Sequence, residues 1–141
     1  MKIADNFDLR EFVDPETWQL LGEKSRWLID DRIINCAAAL RAITGKAVTI
    51  NNWHTGGQYH ESGLRSPFTT TGAKFSQHKF GRAVDCKVEG MTAEEVRQLI
   101  KQHWLHFKSV GLTTIEKDTP TWVHLDCRNT GLETLLEVPF K

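Results

Sequence analysis

Apolar positions along this chain follow two periods. Between residues 24 and 44, Ile29, Ile33, Cys36, Leu40 and Ile43 recur at four-three-four-three spacing, the single stripe of an amphipathic helix. Gly45 follows where a helix commonly ends, so the pattern predicts a core helix over 24–44. A shorter helix is predicted before it, with Asp14 as N-cap, Pro15 at the first helical position and Gly22 as its end. A third opens at Thr92-Ala93-Glu94-Glu95, where Thr92 and Glu95 form a capping-box pattern. It is expected to run through Phe107, burying Val96, Ile100, Trp104 and Phe107, with Gly111 closing the unit.

The segments that read as strands are short and rich in β-branched residues: 47–51, 82–88, 112–116 and 121–127, the last two joined by the turn Lys117-Asp118-Thr119-Pro120. Residues 52–75 have little periodicity and are rich in glycine, serine, threonine and histidine; a loop of that length in a compact domain is usually functional. For 129–141 a short surface helix is the expectation. The sum is an α+β fold, with helices packed on a small, mainly antiparallel sheet.

Length and charge narrow the picture. The 141 residues suit one domain spanning 1–141. Lys and Arg number 18 against 18 Asp and Glu, so no electrostatic footprint for nucleic acid or an anionic membrane is visible. There is no long apolar run to insert in a membrane, and the N-terminus lacks the apolar core of a signal peptide. Synthesis in the cytoplasm and a monomer are expected. Cys36, Cys86 and Cys127 are an odd number without a C-x-x-C, which fits reduced, buried thiols. No repeat, low-complexity tract or linker is evident, and no separate binding module is expected.

The chemistry concentrates in Ser76-Gln77-His78-Lys79-Phe80-Gly81-Arg82-Ala83-Val84-Asp85. His78 and Asp85 are seven residues apart, an odd separation that would put them on opposite faces of a straight strand. Gly81 between them permits a backbone turn that lets the two side chains converge. Downstream, Trp122-Val123-His124-Leu125-Asp126 offers a further imidazole. Two histidines and one aspartate suit a Zn2+ ion that keeps a fourth position for water. A second metal pair at His103 and His106, one helical turn apart, is disfavoured because histidines are common at a helix C-terminus.

Ser76, His78, Gly81, Ala83 and Asp85 reproduce an S-x-H-x-x-G-x-A-x-D signature, and the chain resembles the zinc peptidase family that contains D-alanyl-D-alanine carboxypeptidases and phage L-alanyl-D-glutamate endopeptidases. Trp122–Asp126 looks like that family's second metal-binding element, and Glu61-Ser62-Gly63-Leu64-Arg65 resembles its S-G-x-R segment. The matches run from about Asn51 to Cys127 in the family's order. The resemblance implies His78, Asp85 and His124 as zinc ligands, the fold of the hedgehog domains and DD-peptidases, and peptidoglycan stem peptides as substrate. The compact form implies a phage endolysin-type endopeptidase, released to the cell wall when the membrane opens. A D-Ala-D-Ala carboxypeptidase or dipeptidase is the alternative, and a non-catalytic zinc-stabilised binding module is a third.

The family pattern departs at one position. Many relatives carry an acid three residues before the last metal histidine, where this chain has Thr121. Glu116, Asp118 and Asp126 are therefore the candidates for the general base. Asp126 shares a strand face with His124, and Asp118 matches the spacing of an acid in hedgehog domains. Glu116, with the longer side chain at a strand end, is preferred. Arg65 offers a planar fork to a substrate carboxylate or an oxyanion. His54 and Ser76 complete the candidates: His54 to line the cleft, Ser76 to orient a ligand or meet substrate.

Overall fold

The computed structural model describes residues 1–140. Its elements in chain order are strands β1 (Lys2–Ala4) and β2 (Phe7–Asp8), helices α1 (Pro15–Leu21) and α2 (Asp31–Thr44), strands β3 (Val48–Thr49) and β4 (Ala83–Val88), helices α3 (Ala93–Gln102) and α4 (Trp104–Ser109), and strands β5 (Thr114–Glu116), β6 (Val123–Asp126) and β7 (Leu136–Val138). β1 and β2 form a separate antiparallel ribbon, and the other strands make one sheet in the order β3-β4-β6-β5-β7. Every pairing in that sheet is antiparallel except β5 with β7. Helices and sheets mix as an α+β architecture.

The caps read from the sequence form as expected. Asp14 accepts from the Thr17 N–H, Thr92 and Glu95 close a capping box, and Gly45 ends α2 in the left-handed region at φ 65°. The core helix, however, begins at Asp31 and not at residue 24. Residues Gly22–Leu28 wind as a 3-10 turn and Ile29 is extended. The cause is Asp30: its carboxylate caps the Arg32 N–H, while its own N–H donates to the Gly81 carbonyl at 2.9 Å. A residue fixed from both sides in extended geometry starts a helix afresh. The third helix is likewise broken, at His103 (φ −106°, ψ 28°), so Trp104 and Phe107 belong to α4.

The tail also differs from expectation. In place of a surface helix it forms β7, parallel to β5, with Leu136 N–H on the Thr113 carbonyl and Lys117 N–H on the Val138 carbonyl, both at 2.9 Å. Leu-Glu-Val is too short an alternation to announce a strand in the sequence; an open sheet edge supplies the reason for it.

The strand alternation sorts the sheet into two faces. Val84, Cys86 and Val88 of β4, Ile115 of β5, and Val123 and Leu125 of β6 join Ile33, Cys36, Ala37 and Leu40 of α2 and Phe107 of α4 in the core. Each large apolar side chain so buried stabilises the fold by about 1.5–3 kcal/mol. Asp85, Lys87, Glu116, His124 and Asp126 necessarily project from the opposite face. The helices hold one face of the sheet in place so that the other can carry polar groups.

Candidate metal centre

Register brings two of the predicted ligands together directly. In the β4–β6 ladder Asp85 pairs with His124, and directly opposed residues share a face. His78 arrives from outside the sheet, on a 3-10 turn over Gln77–Phe80 that precedes β4. Ser76 caps this turn, its hydroxyl accepting from the His78 N–H at 3.2 Å. Gly81 ends it at φ 68°. A Cβ at Gly81 would stand 1.8 Å from the Leu28 carbonyl oxygen, so this corner admits only glycine. The odd spacing of His78 and Asp85 is thereby resolved.

The result is a group of His78, Asp85 and His124 whose ligand atoms lie within 4.8 Å of one another, an arrangement that could hold a metal ion. Asp85 Oδ1 stands 3.3 Å from His78 Nε2 and 3.1 Å from His124 Nδ1. Each imidazole is anchored through its other nitrogen. His78 Nδ1 lies 2.9 Å from the Gly63 carbonyl, which can only accept, so Nδ1 carries the proton and Nε2 is left as the donor to a cation. His124 Nε2 lies 2.7 Å from Asp126 Oδ2, which leaves Nδ1 for the same role. The two histidines thus present different ring nitrogens to one point.

Charge at this point is strongly biased toward a cation. Burial opposes ionisation of Asp85, but the neighbouring His78 and His124 outweigh it and hold its carboxyl well below the usual range. Burial lowers the pKa of His78 despite Asp85, which favours the neutral ring that coordination requires. His124 is pushed up to about 9, since the carboxylates of Asp126 and Asp85 overcome its burial. A bound cation would take over the role of that imidazolium proton among the carboxylates.

Around the triad stand further polar groups. Glu116 Oε1 is 3.4 Å from His124 Nδ1, the nitrogen left available to a cation, and its pKa is raised by burial and by the negative charges of Asp85 and Asp126. Arg65 is anchored by its Nε on the Glu61 carbonyl at 2.7 Å and reaches Asp85 Oδ2 at 3.2 Å. All of these except Asp126 line one cleft of about 670 Å³, together with Ser76, Trp122, Arg128 and Phe140.

The remaining candidates divide. Asp126 is fully buried and committed to His124 Nε2 and to Arg128, with contacts down to 2.5 Å, so it holds the His124 ring and is not part of the cleft wall. Asp118 is turned to the tail, accepting from the Phe140 N–H at 2.7 Å, and is not part of the cleft wall. His54 packs edge-on against Trp53 and borders a different hollow, beside Glu11 and Arg41. Arg128 was not foreseen from the sequence. The signal for it is the alternation His124, Asp126, Arg128, which continues the functional face one step beyond the strand.

Comparisons with protein families, with curated proteins and with solved structures find no match to this chain.

Proposed function

We propose that this protein is a zinc metallopeptidase that hydrolyses peptide bonds in peptidoglycan stem peptides, as an endolysin-type endopeptidase acting on the wall after release. One observation carries the reading: a carboxylate, Glu116, stands 3.4 Å from the coordinating nitrogen of a buried His-Asp-His group that opens into a cleft. Two imidazoles and a single carboxylate are the donor set of an open zinc site. The substrate class and the hedgehog/DD-peptidase fold rest on the resemblance of residues 61–65, 76–85 and 122–126 to the wall peptidases.

A bound zinc ion would supply Lewis acidity toward the scissile carbonyl and lower the pKa of water at its open position. Glu116 accepts the proton of the attacking water at Oε1 and returns it to the leaving amine. Its raised pKa brings its proton affinity nearer to neutrality, where a shuttle of this kind works best. Arg65 offers a guanidinium to the oxygen that gains negative charge, from a side chain held rigid by the Glu61 carbonyl. Asp126 and Arg128 fix the His124 ring and so the position of the whole reaction.

Digestion of purified peptidoglycan with zinc-loaded protein, analysed by mass spectrometry, tests this directly. New stem-peptide ends are expected, absent from a chelated sample and from His124→Ala. Intact peptidoglycan from a protein carrying one zinc per chain would reject the enzyme and favour a binding module.

A further inference from the structure

Beside the cleft, and sharing Asp85 and Trp122 with it, the open face of the sheet contains a second, smaller recess of about 100 Å³ bordered also by Tyr59, Ser62 and Lys87. Lys87 lies two residues beyond Asp85 on β4 and so shares its face. Its ammonium lies over two rings, 5.0 Å from the centroid of Tyr59 and 5.8 Å from that of Trp122. Its hydrogen bonds are long ones, to the Thr121 hydroxyl at 3.3 Å and carbonyl at 3.4 Å. Among the described residues no carboxylate pairs with it. Tyr59 and Ser62 are held through their backbone N–H groups by the side-chain oxygens of Asn52 and Asn51, and among the described residues neither hydroxyl has a hydrogen-bond partner. Lys87 and two hydroxyl-bearing residues therefore border one small hollow, and the one carboxylate on its rim, Asp85, is paired with Arg65, His78 and His124 and not with Lys87.

We propose that this recess is a carboxylate subsite and that Lys87 determines specificity for the peptide bound in the adjoining cleft; the proposal rests on the peptidase reading above. A single cation with two neutral donors suits a monoanion, and the nearby Asp85 carboxylate disfavours a dianion such as a phosphate monoester. Two residues of strand rise about 6.6 Å, roughly the span of two residues of extended peptide. The bound carboxylate accordingly sits within one or two residues of the scissile bond. A chain-terminal carboxylate meets that condition, and so does the free carboxylate of an internal acidic residue.

Two substrate pairs separate these sources: diacetyl-L-lysyl-D-alanyl-D-alanine against its C-terminal amide, and L-alanyl-γ-D-glutamyl-L-lysine against its isoglutamine counterpart. For zinc-loaded wild type, kcat/KM for the acid should exceed that for the amide by about tenfold to a hundredfold in one pair, the worth of a charge-assisted hydrogen bond. The pair that shows it names the source. In Lys87→Met, checked for zinc content and melting temperature, the ratio should fall toward one whatever the absolute rate. Hydrolysis with no acid preference, or with one that survives Lys87→Met, overturns the subsite and leaves the peptidase standing. If no peptide is cleaved, the peptidase reading fails and binding decides. The Trp122 indole N–H resonance should then respond to N-acetyl-D-alanine but not to its amide, and the response should vanish in Lys87→Met. No response to the acid overturns the subsite.

Discussion

At the scale of single residues, Glu116 and Asp126 show how environment assigns different work to two carboxylates beside one imidazole. Both contact His124, Glu116 at Nδ1 and Asp126 at Nε2. Asp126 has its charge met by Arg128 and its pKa lowered, because those partners outweigh its burial; it is an acceptor with no proton to exchange. Glu116 is half-buried without such a partner and its pKa is raised. The two substitutions should therefore fail differently. Glu116→Gln is expected to keep zinc while kcat falls about 10²–10⁴-fold, the usual worth of a general base. Asp126→Asn should weaken zinc affinity by about 10–100-fold, as loss of a partner behind a ligand does, with activity restored at saturating metal. Competition with a chromophoric chelator, run beside steady-state kinetics, measures both.

At the scale of elements, the corner at Gly81 joins the site to the core. Its carbonyl receives the Asp30 N–H, its φ is left-handed, and Leu28 backbone occupies the space of a side chain. Gly81→Ala should destabilise by well over the ~1–2 kcal/mol that a left-handed alanine costs alone, and displace His78 as it does so. Urea titration with parallel zinc binding would register both. The β1–β2 ribbon invites a pH test. The Arg10 guanidinium, aided by the chain's own amino terminus, overcomes partial burial and holds the Asp8 carboxyl far below its usual range. A group with a depressed folded pKa contributes stability above its unfolded value, near 4, and loses it as pH falls further. Asp8→Asn should accordingly destabilise by about 1 kcal/mol at pH 7, with the gap closing below pH 4 in thermal melts. Much of this level was legible in the sequence: caps at Asp14, Thr92 and Gly45 depend on neighbours in the chain. The breaks at Asp30 and His103, and the strand at Leu136–Val138, were not. Asp30 is held by Gly81 and β7 by β5, so their conformations are set by distant backbone.

At the scale of the molecule, the metal group is a product of folding. His78 comes from a turn and Asp85 and His124 from neighbouring strands, so the three converge on one point only when the sheet and the turn have formed. That His78, Asp85 and His124 would converge could be read from spacing and motif, whereas the open face that surrounds them could not. Lys87, Arg128 and Phe140 reach that face only through strand register and the docking of β7. A ligand that binds only the folded state stabilises it by RT ln(1 + [L]/Kd), about 4.1 kcal/mol at a thousandfold excess over Kd. For a chain of this size that corresponds to a rise in Tm on the order of 10–20 °C. Zinc should thus raise Tm in proportion to the logarithm of its free concentration, and a chelator should reverse the gain. His124→Ala and Asp85→Ala should melt at a temperature independent of zinc, while Glu116→Gln, outside the ligand set, should keep the full response. A calorimetric series at buffered free zinc distinguishes these cases. A zinc-independent Tm in the wild type would mean that the three side chains, though convergent, hold no such ion.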